Sequence, residues 1–300
     1  MRNKNIEWII ISTILFFTPV SVRGGSLSVV TTTTDLAAIT RELGGDRVSV
    51  RSIAKGSQDP HYVAAKPSYM RLLNRADLLL YVGLQIEIGW LPLLVQGARN
   101  PGLVSLNLSQ GISVLEVPKG EITRALGDIH PEGNPHYWLD PRNGLTVARR
   151  IVGQLKALVP GEGDYFEGRL ELFEKDLKSQ IQKWERQMMP YRGKKVVAYH
   201  KQWEYLARWL GLSIIGYVEN KPGIPPAPKH VTGLIRRMRE QNVKALMVSS
   251  FISPTIPQSV ASKGGAKMVI LPASVAGEKG IKGYGDLFES IIGKMANSLR

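Results

Sequence analysis

The chain has 300 residues, a formal net charge of +14 and no cysteine. The missing thiols exclude disulfides, cysteine metal ligands and attachment of a lipid through an N-terminal cysteine. The positive residues are scattered, through Lys175, Lys178, Arg236, Arg237, Arg239 and Lys294 among others, with no basic block interleaved with aromatics, so a nucleic-acid channel is not expected.

Residues 1–24 read as a secretory signal peptide. Arg2 and Lys4 precede an apolar run from Trp8 to Phe17, and Val22 and Gly24 fit a small-residue cleavage site. The run barely reaches across a hydrocarbon core, and no stop-transfer pattern follows. The expectation is a cleaved product free in the periplasm, not lipid-anchored.

The rest reads as an α/β chain of two lobes with central, mostly parallel sheets: residues 25–161, a linking helix at 162–189, then 190–300. LSVVTTTT (Leu27 to Thr34) is a strand entering a loop. Asp35 is expected to cap the helix LAAITREL, which Gly44 and Gly45 end. VSVRSIA (Val48 to Ala54) is a second strand, Pro67 opens a helix through Met70 and Leu73, and LLLYVG (Leu78 to Gly83) is a third strand. Such uniformly apolar strands suit a parallel sheet covered on both faces. There follow a helix near Trp90 to Gln96, the extended pieces VSLNLS and ISVLEV, a Gly/Pro-rich loop, GDIHPEGNPHYWLDP, and a helix from Leu145 to Leu158.

From Asp164 to Met189 no proline interrupts the chain. Phe166, Leu170, Phe173, Leu177, Ile181, Trp184 and Met188 recur at threes and fours, one apolar stripe on a long helix. At about 1.5 Å per residue the rod spans about 39 Å, enough to pack against both lobes. The second lobe offers strands at Lys194 to His200, Leu212 to Val218, Val243 to Ser250 and Ala266 to Pro272. Helices are expected at Gln202 to Leu210, His230 to Gln241, Ile256 to Lys263 and Tyr284 to Leu299.

Five histidines can be weighed singly. His61 follows the second strand, His136 lies in the loop closing the first lobe, and His200 ends the first strand of the second lobe. Groups at the carboxyl ends of strands in open α/β sheets face the ligand crevice. His61 and His136 share the local string Pro-His-Tyr, in which proline pins the backbone that presents the ring. Three neutral imidazoles suit Zn²⁺ better than the oxygen-seeking Ca²⁺ or Mg²⁺. Alone, each ring could equally serve a loop or a strand end. His130, in GDIHPEG, is read as facing solvent or gathering metal near the cleft rather than as a permanent ligand. His230, after the rigid PGIPPAPK, is read as bracing that loop.

The stretches TTTTDLAAITRELGGD, SQDPHYVAAKPS, LLLYVGLQIEIGW, GNPHYWLDP, VVAYHKQWEYLARWLGL and ENKPGIPPAPKH, in this order, resemble the solute-binding proteins of bacterial ABC transporters for zinc and manganese. The resemblance runs from about Leu27 to the terminal helix. It implies two α/β lobes joined by one long helix, with a metal site in the inter-lobe cleft. It implies His61, His136 and His200 as ligands, Zn²⁺ as the cargo with Mn²⁺ possible, and delivery to an ABC permease in the inner membrane by transient docking of a monomer. A histidine in the third ligand position points to the zinc branch, since manganese members commonly carry a carboxylate there.

The sequence also departs from that pattern. Ala273 stands where many members supply an aspartate as fourth ligand, and the FVEP-like stretch is altered to MVSS, so Ser249 replaces an acid. The fourth position is left to water, or to Asp59, Glu278 or Asp286. Three histidines and a water also form the inner shell of hydrolytic zinc sites, which keeps a zinc-dependent hydrolase as the alternative. No HExxH helix, GxSxG elbow or phosphate-binding glycine loop accompanies them, and the expectation is a binder, not an enzyme.

Overall fold

The apolar strands pair into two four-stranded, all-parallel sheets among the described residues. The computed structural model describes residues 26–118, 130–221 and 223–300. The expected signal peptide, residues 1–24, lies outside the described residues. In the first lobe β1 (Leu27–Thr31), β2 (Val48–Ser52), β3 (Leu78–Tyr81) and β4 (Val104–Asn107) lie in the order β2-β1-β3-β4. In the second, β5 (Lys195–Ala198), β6 (Ser213–Tyr217), β7 (Ala245–Ser249) and β8 (Lys267–Leu271) repeat it as β6-β5-β7-β8. Each order reverses beside its first strand, so each lobe opens a crevice at the carboxyl ends of its strands.

The connecting helices are α1 (Thr34–Gly44), α2 (Pro67–Asn74), α3 (Leu91–Ala98) and α4 (Pro141–Leu158), then the rod α5 (Gly163–Met188), and α6 (Glu204–Leu210), α7 (Pro228–Glu240), α8 (Thr255–Gly264) and α9 (Tyr284–Leu299). The two-lobed α/β class therefore holds. Three local expectations shift. Helix α1 is capped by Thr33, whose side chain accepts from the Leu36 N–H, and Asp35 is buried in the first turn with a different task. Helix α4 begins at Pro141 rather than Leu145, because Asp140 caps it by accepting from the Arg142 N–H and proline suits the first helical position. ISVLEV forms no strand; Leu115 N–H donates to the Tyr205 hydroxyl at 3.0 Å, tying the segment to the second lobe.

The core lies in three bodies. One cluster (Val30, Leu79, Trp90 and neighbours) sits under α2 and α3, and another (Val197, Leu246, Val260 and neighbours) under α7 and α8. The third is shared. It runs from Val29 and Leu80 through α4 and the rod to Trp203, Met247 and Phe288, so both lobes bury apolar surface against the same side chains. All seven residues of the apolar stripe on α5 are buried, and the rod packs along α1 and α4 on one side and α9 on the other. Trp184 is fully buried against Phe288 and Trp209, with ring centroids 5.5 and 6.3 Å away, and its indole N–H donates to Glu289 Oε2 at 2.8 Å.

Polar ties lock the lobes at the base of the cleft. Val275 N–H donates to Asp35 Oδ1 at 2.9 Å, Thr34 Oγ1 to the Val275 carbonyl at 2.7 Å, and Trp138 Nε1 to the Ala273 carbonyl at 2.9 Å. Tyr284 hydroxyl donates to the Trp138 carbonyl at 2.6 Å. The backbones come so close here that a Cβ on Gly56 would stand 2.0 Å from the Val275 carbonyl oxygen.

Because one core serves both lobes, truncating the rod should unfold them together. Trp184→Ala is expected to cost about 3–5 kcal/mol and to leave a single denaturant transition; two separated transitions would contradict a shared core. Burial pushes the Asp35 carboxyl up to about 7, against the hydrogen bonds from Val275 and Ser274. A raised acid stabilises the fold below the unfolded-state value near 4 and loses that contribution as pH rises through about 7. The melting-temperature advantage of the parent over Asp35→Asn should therefore shrink between pH 5 and pH 8; a constant gap would show that Asp35 does not titrate in that range.

Candidate metal centre

One local device presents two of the histidines. Asp59-Pro60-His61 and Asn134-Pro135-His136 are the same tripeptide design, an Asx oxygen reaching two residues forward over a proline. Asp59 Oδ1 accepts from His61 N at 3.0 Å and binds its Nδ1 at 2.7 Å. Asn134 Oδ1 accepts from His136 N at 3.0 Å and binds its Nδ1 at 2.9 Å. Each ring is thus held by its own backbone turn. Trp90 Nε1 donates to the Pro60 carbonyl at 2.9 Å and fixes the first turn to its lobe. His200 is placed differently, two residues beyond β5, where Glu219 N–H pairs with the Tyr199 carbonyl at 2.9 Å; Glu219 Oε1 stands 3.5 Å from His200 Nδ1.

The structure brings His61, His136 and His200 together. Ring centroids are 5.1 Å apart for His61 and His136, 6.2 Å for His61 and His200, and 6.3 Å for His136 and His200. Two rings come from the first lobe and one from the second, across the cleft. His136 is buried, and burial, reinforced by the neighbouring His61, His200 and His130, holds its imidazole well below the ordinary histidine range. At neutral pH it is an uncharged donor, so a cation need not displace a proton from it.

The outer partners decide which nitrogen faces inward. Asn134 gives its amide N–H groups to Glu204 Oε2 at 2.8 Å and Glu116 Oε2 at 3.1 Å, so its oxygen must face His136. An oxygen can only accept, which puts the proton of His136 on Nδ1 and leaves Nε2 with its lone pair. The Asp59 carboxylate does the same for His61. Burial works to raise Asp59, but the hydrogen bonds and charge of His61 outweigh it and hold the carboxyl below its usual range. This is the arrangement of metal-binding histidines, whose second ring nitrogen is tied to a carboxylate or amide oxygen. Among the described residues no three or more His, Cys, Asp or Glu side chains are arranged so that they could hold a metal ion in the geometry seen. Asp59 and Asn134 set the tautomers of His61 and His136, and His61 Nε2 is engaged by His130.

Of the two places the sequence leaves open for His130, solvent or the cleft, the structure gives the cleft. Its Nε2 lies 3.0 Å from His61 Nε2, with ring centroids 5.1 Å apart, so it joins the gathering rather than standing apart in solvent. Its sequence signal was weak, because GDIHPEG shows no Asx-Pro-His turn. The other acids considered for a fourth position are engaged elsewhere: Glu278 pairs with Lys294 at 2.6 Å, and Asp286 accepts from Lys282 N and Gly283 N at the start of α9. Ser249 is buried, donating to Gln202 Oε1. His230 lies in the first turn of α7, and its Nε2 stands 2.8 Å from the Tyr217 carbonyl at the end of β6, so it ties the helix to the strand rather than bracing the loop before it. An open cavity of about 520 Å³, lined by His61, Tyr62, Gln85, Ile88, Trp90 and His130, leads to the gathered rings.

If Asp59 orients His61 through an accepting oxygen, Asp59→Ala should weaken divalent-metal binding roughly 10–100-fold in a calorimetric titration. Asp59→Asn should retain most of the affinity, since Asn134 performs that task for His136. Equal losses in both variants would instead make Asp59 a ligand.

Comparison with known proteins bears directly on this site. The streptococcal protein FimA of Streptococcus parasanguinis, a metal ABC transporter substrate-binding lipoprotein, is 28% identical over 270 residues, covering 87% of this chain and 85% of the relative. PsaA of Streptococcus pneumoniae, a manganese ABC transporter substrate-binding lipoprotein, is 28% identical over 243 residues, covering 79% and 76%. A crystal structure of ZnuA superposes with a TM-score of 0.79 at 24% identity, covering 92% of this chain and 100% of that one, which establishes a common fold. The relatives correct one expectation. FimA, PsaA and the further curated relatives are lipoproteins by name, which overturns the expectation of a free, unanchored periplasmic product with its signal peptide cleaved away. That expectation leaned on the missing thiol, which removes one chemistry of attachment without establishing release from the membrane. Residues 29–298 match the family described as ZnuA, zinc-uptake complex component A, periplasmic; the chain belongs to that family of solute-binding proteins of metal ABC transporters.

Proposed function

We propose that the chain captures Zn²⁺ between its lobes through the Nε2 atoms of His61, His136 and His200 and hands it to an ABC permease in the inner membrane. Mn²⁺ is the second cargo to consider, because PsaA is a manganese protein. The observation that carries the reading is the convergence of three imidazoles from two lobes, with centroid separations of 5.1–6.3 Å and each Nδ1 facing an oxygen of Asp59, Asn134 or Glu219. Nitrogen donors suit zinc better than manganese, which favours carboxylate, carbonyl and water.

Capture on this reading is an exchange of hydration water for neutral imidazole. The ion enters through the cavity beside His61 and settles against the buried His136. The shared core and the ties at Asp35 and Trp138 hold the lobes at a set spacing, so little closure accompanies binding. The loaded protein docks transiently, as a monomer, and nucleic acid has no part in the cycle. Membership of a non-catalytic binding family sets the hydrolase alternative aside. The nearby Glu204, pushed up to about 7 by burial and by Glu116, serves to orient Asn134.

His61→Ala, His136→Ala and His200→Ala should each lower Zn²⁺ affinity by at least about 100-fold, beyond the roughly 10–100-fold cost of losing an outer partner. His230→Ala should leave it near the parental value. Parental affinity in any of the first three would remove that residue from the site.

A further inference from the structure

We infer that His130 is a fourth, exchangeable zinc ligand in this chain. The inference deepens the zinc-capture reading and rests on it. Three observations lead to it. First, His130 Nε2 is 3.0 Å from His61 Nε2. Four nitrogens held tetrahedrally at 2.0–2.1 Å from Zn²⁺ stand about 3.3 Å apart, so the two rings already have nearly the spacing of neighbouring ligands. Asp59 keeps a proton on His61 Nδ1, so the contact between the two Nε2 atoms needs a proton on His130 Nε2. For a cation to take that place, His130 carries its proton on Nδ1 instead, and both Nε2 atoms then present lone pairs.

Second, the turn that carries His130 is built. Gly133 N–H donates to the His130 carbonyl at 3.0 Å, and Asn134 N–H to the Leu115 carbonyl at 2.8 Å. Gly133 adopts φ +103°, and a Cβ there would stand 2.4 Å from a methyl of Val114. The same turn that aims Asn134 at His136 therefore sets His130 over His61. Third, no carboxylate replaces it. Ala273 is buried with its carbonyl bound to Trp138, while Glu278 and Asp286 are engaged by Lys294 and by the start of α9.

The placement also assigns a role. His136 is buried, whereas His130 and His61 line the open cavity. A ligand at the mouth can meet the ion first and leave it last. Four nitrogen donors with no oxygen would set the site against Mn²⁺ and toward Zn²⁺, making His130 a specificity-determining residue.

The test uses the parent, His130→Ala and His130→Asp, titrated with Zn²⁺ and with Mn²⁺, and Co²⁺ absorption as a readout of coordination. His130→Ala should lose at least about tenfold in Zn²⁺ affinity, the lower end of what even outer partners cost. Its Co²⁺ visible bands should weaken as water enters and the tetrahedral field is lost. His130→Asp should move the Zn²⁺-to-Mn²⁺ affinity ratio toward Mn²⁺ by about tenfold or more, as an oxygen donor demands. Parental affinity and an unchanged Co²⁺ spectrum in His130→Ala, with binding still lost in His61→Ala, would overturn this inference alone. A parent that binds neither metal would end both it and the capture reading.

Discussion

An imidazole can offer one nitrogen to a cation only while its single proton is kept on the other, and the cleft of this protein is organised around that constraint. Left to itself, a histidine divides its proton between both nitrogens and its ring among several rotamers. Here Asp59 and Asn134 remove both freedoms at once, because one oxygen takes the backbone N–H and the ring N–H of the same histidine. The proline between them sets the angle of the turn. The Nε2 atoms are left to other partners, and that of His61 meets His130 Nε2 at 3.0 Å.

Directed lone pairs are useful only if the two lobes stay in register. The fold secures this by burying one apolar body under both sheets instead of two separate ones. The stripe on α5 contributes to it along its whole length, and Trp184, Trp209 and Phe288 close it from the second lobe. At the floor of the cleft, Asp35 and Trp138 bind backbone groups of the opposite loop.

Charge is handled with the same economy. The chain is strongly basic overall, yet several of its acids are buried. Asp35, Glu87 and Glu204 are each pushed up to about 7, by burial first. Asp59 remains ionised behind His61, where it strengthens the donor without crowding the metal position.

Residue order alone was enough for the two α/β lobes and the rod, and it singled out three histidines whose rings the structure draws to within 5.1–6.3 Å of one another, because each leaves a periodic or local trace. The stripe from Phe166 to Met188 repeats with the helix, and the strands are apolar on both faces because helices cover both. The Asx-Pro-His turns are written in DPHY and NPHY. Other features had no such trace. Asp35 looks like a helix cap until Val275, 240 residues away, is seen to donate to it. His130 looks like a loop residue until the turn at Gly133 sets it against His61. Both depend on contacts between chain segments remote in sequence, and such contacts exist only once the lobes have packed, which is why tertiary structure alone could assign them.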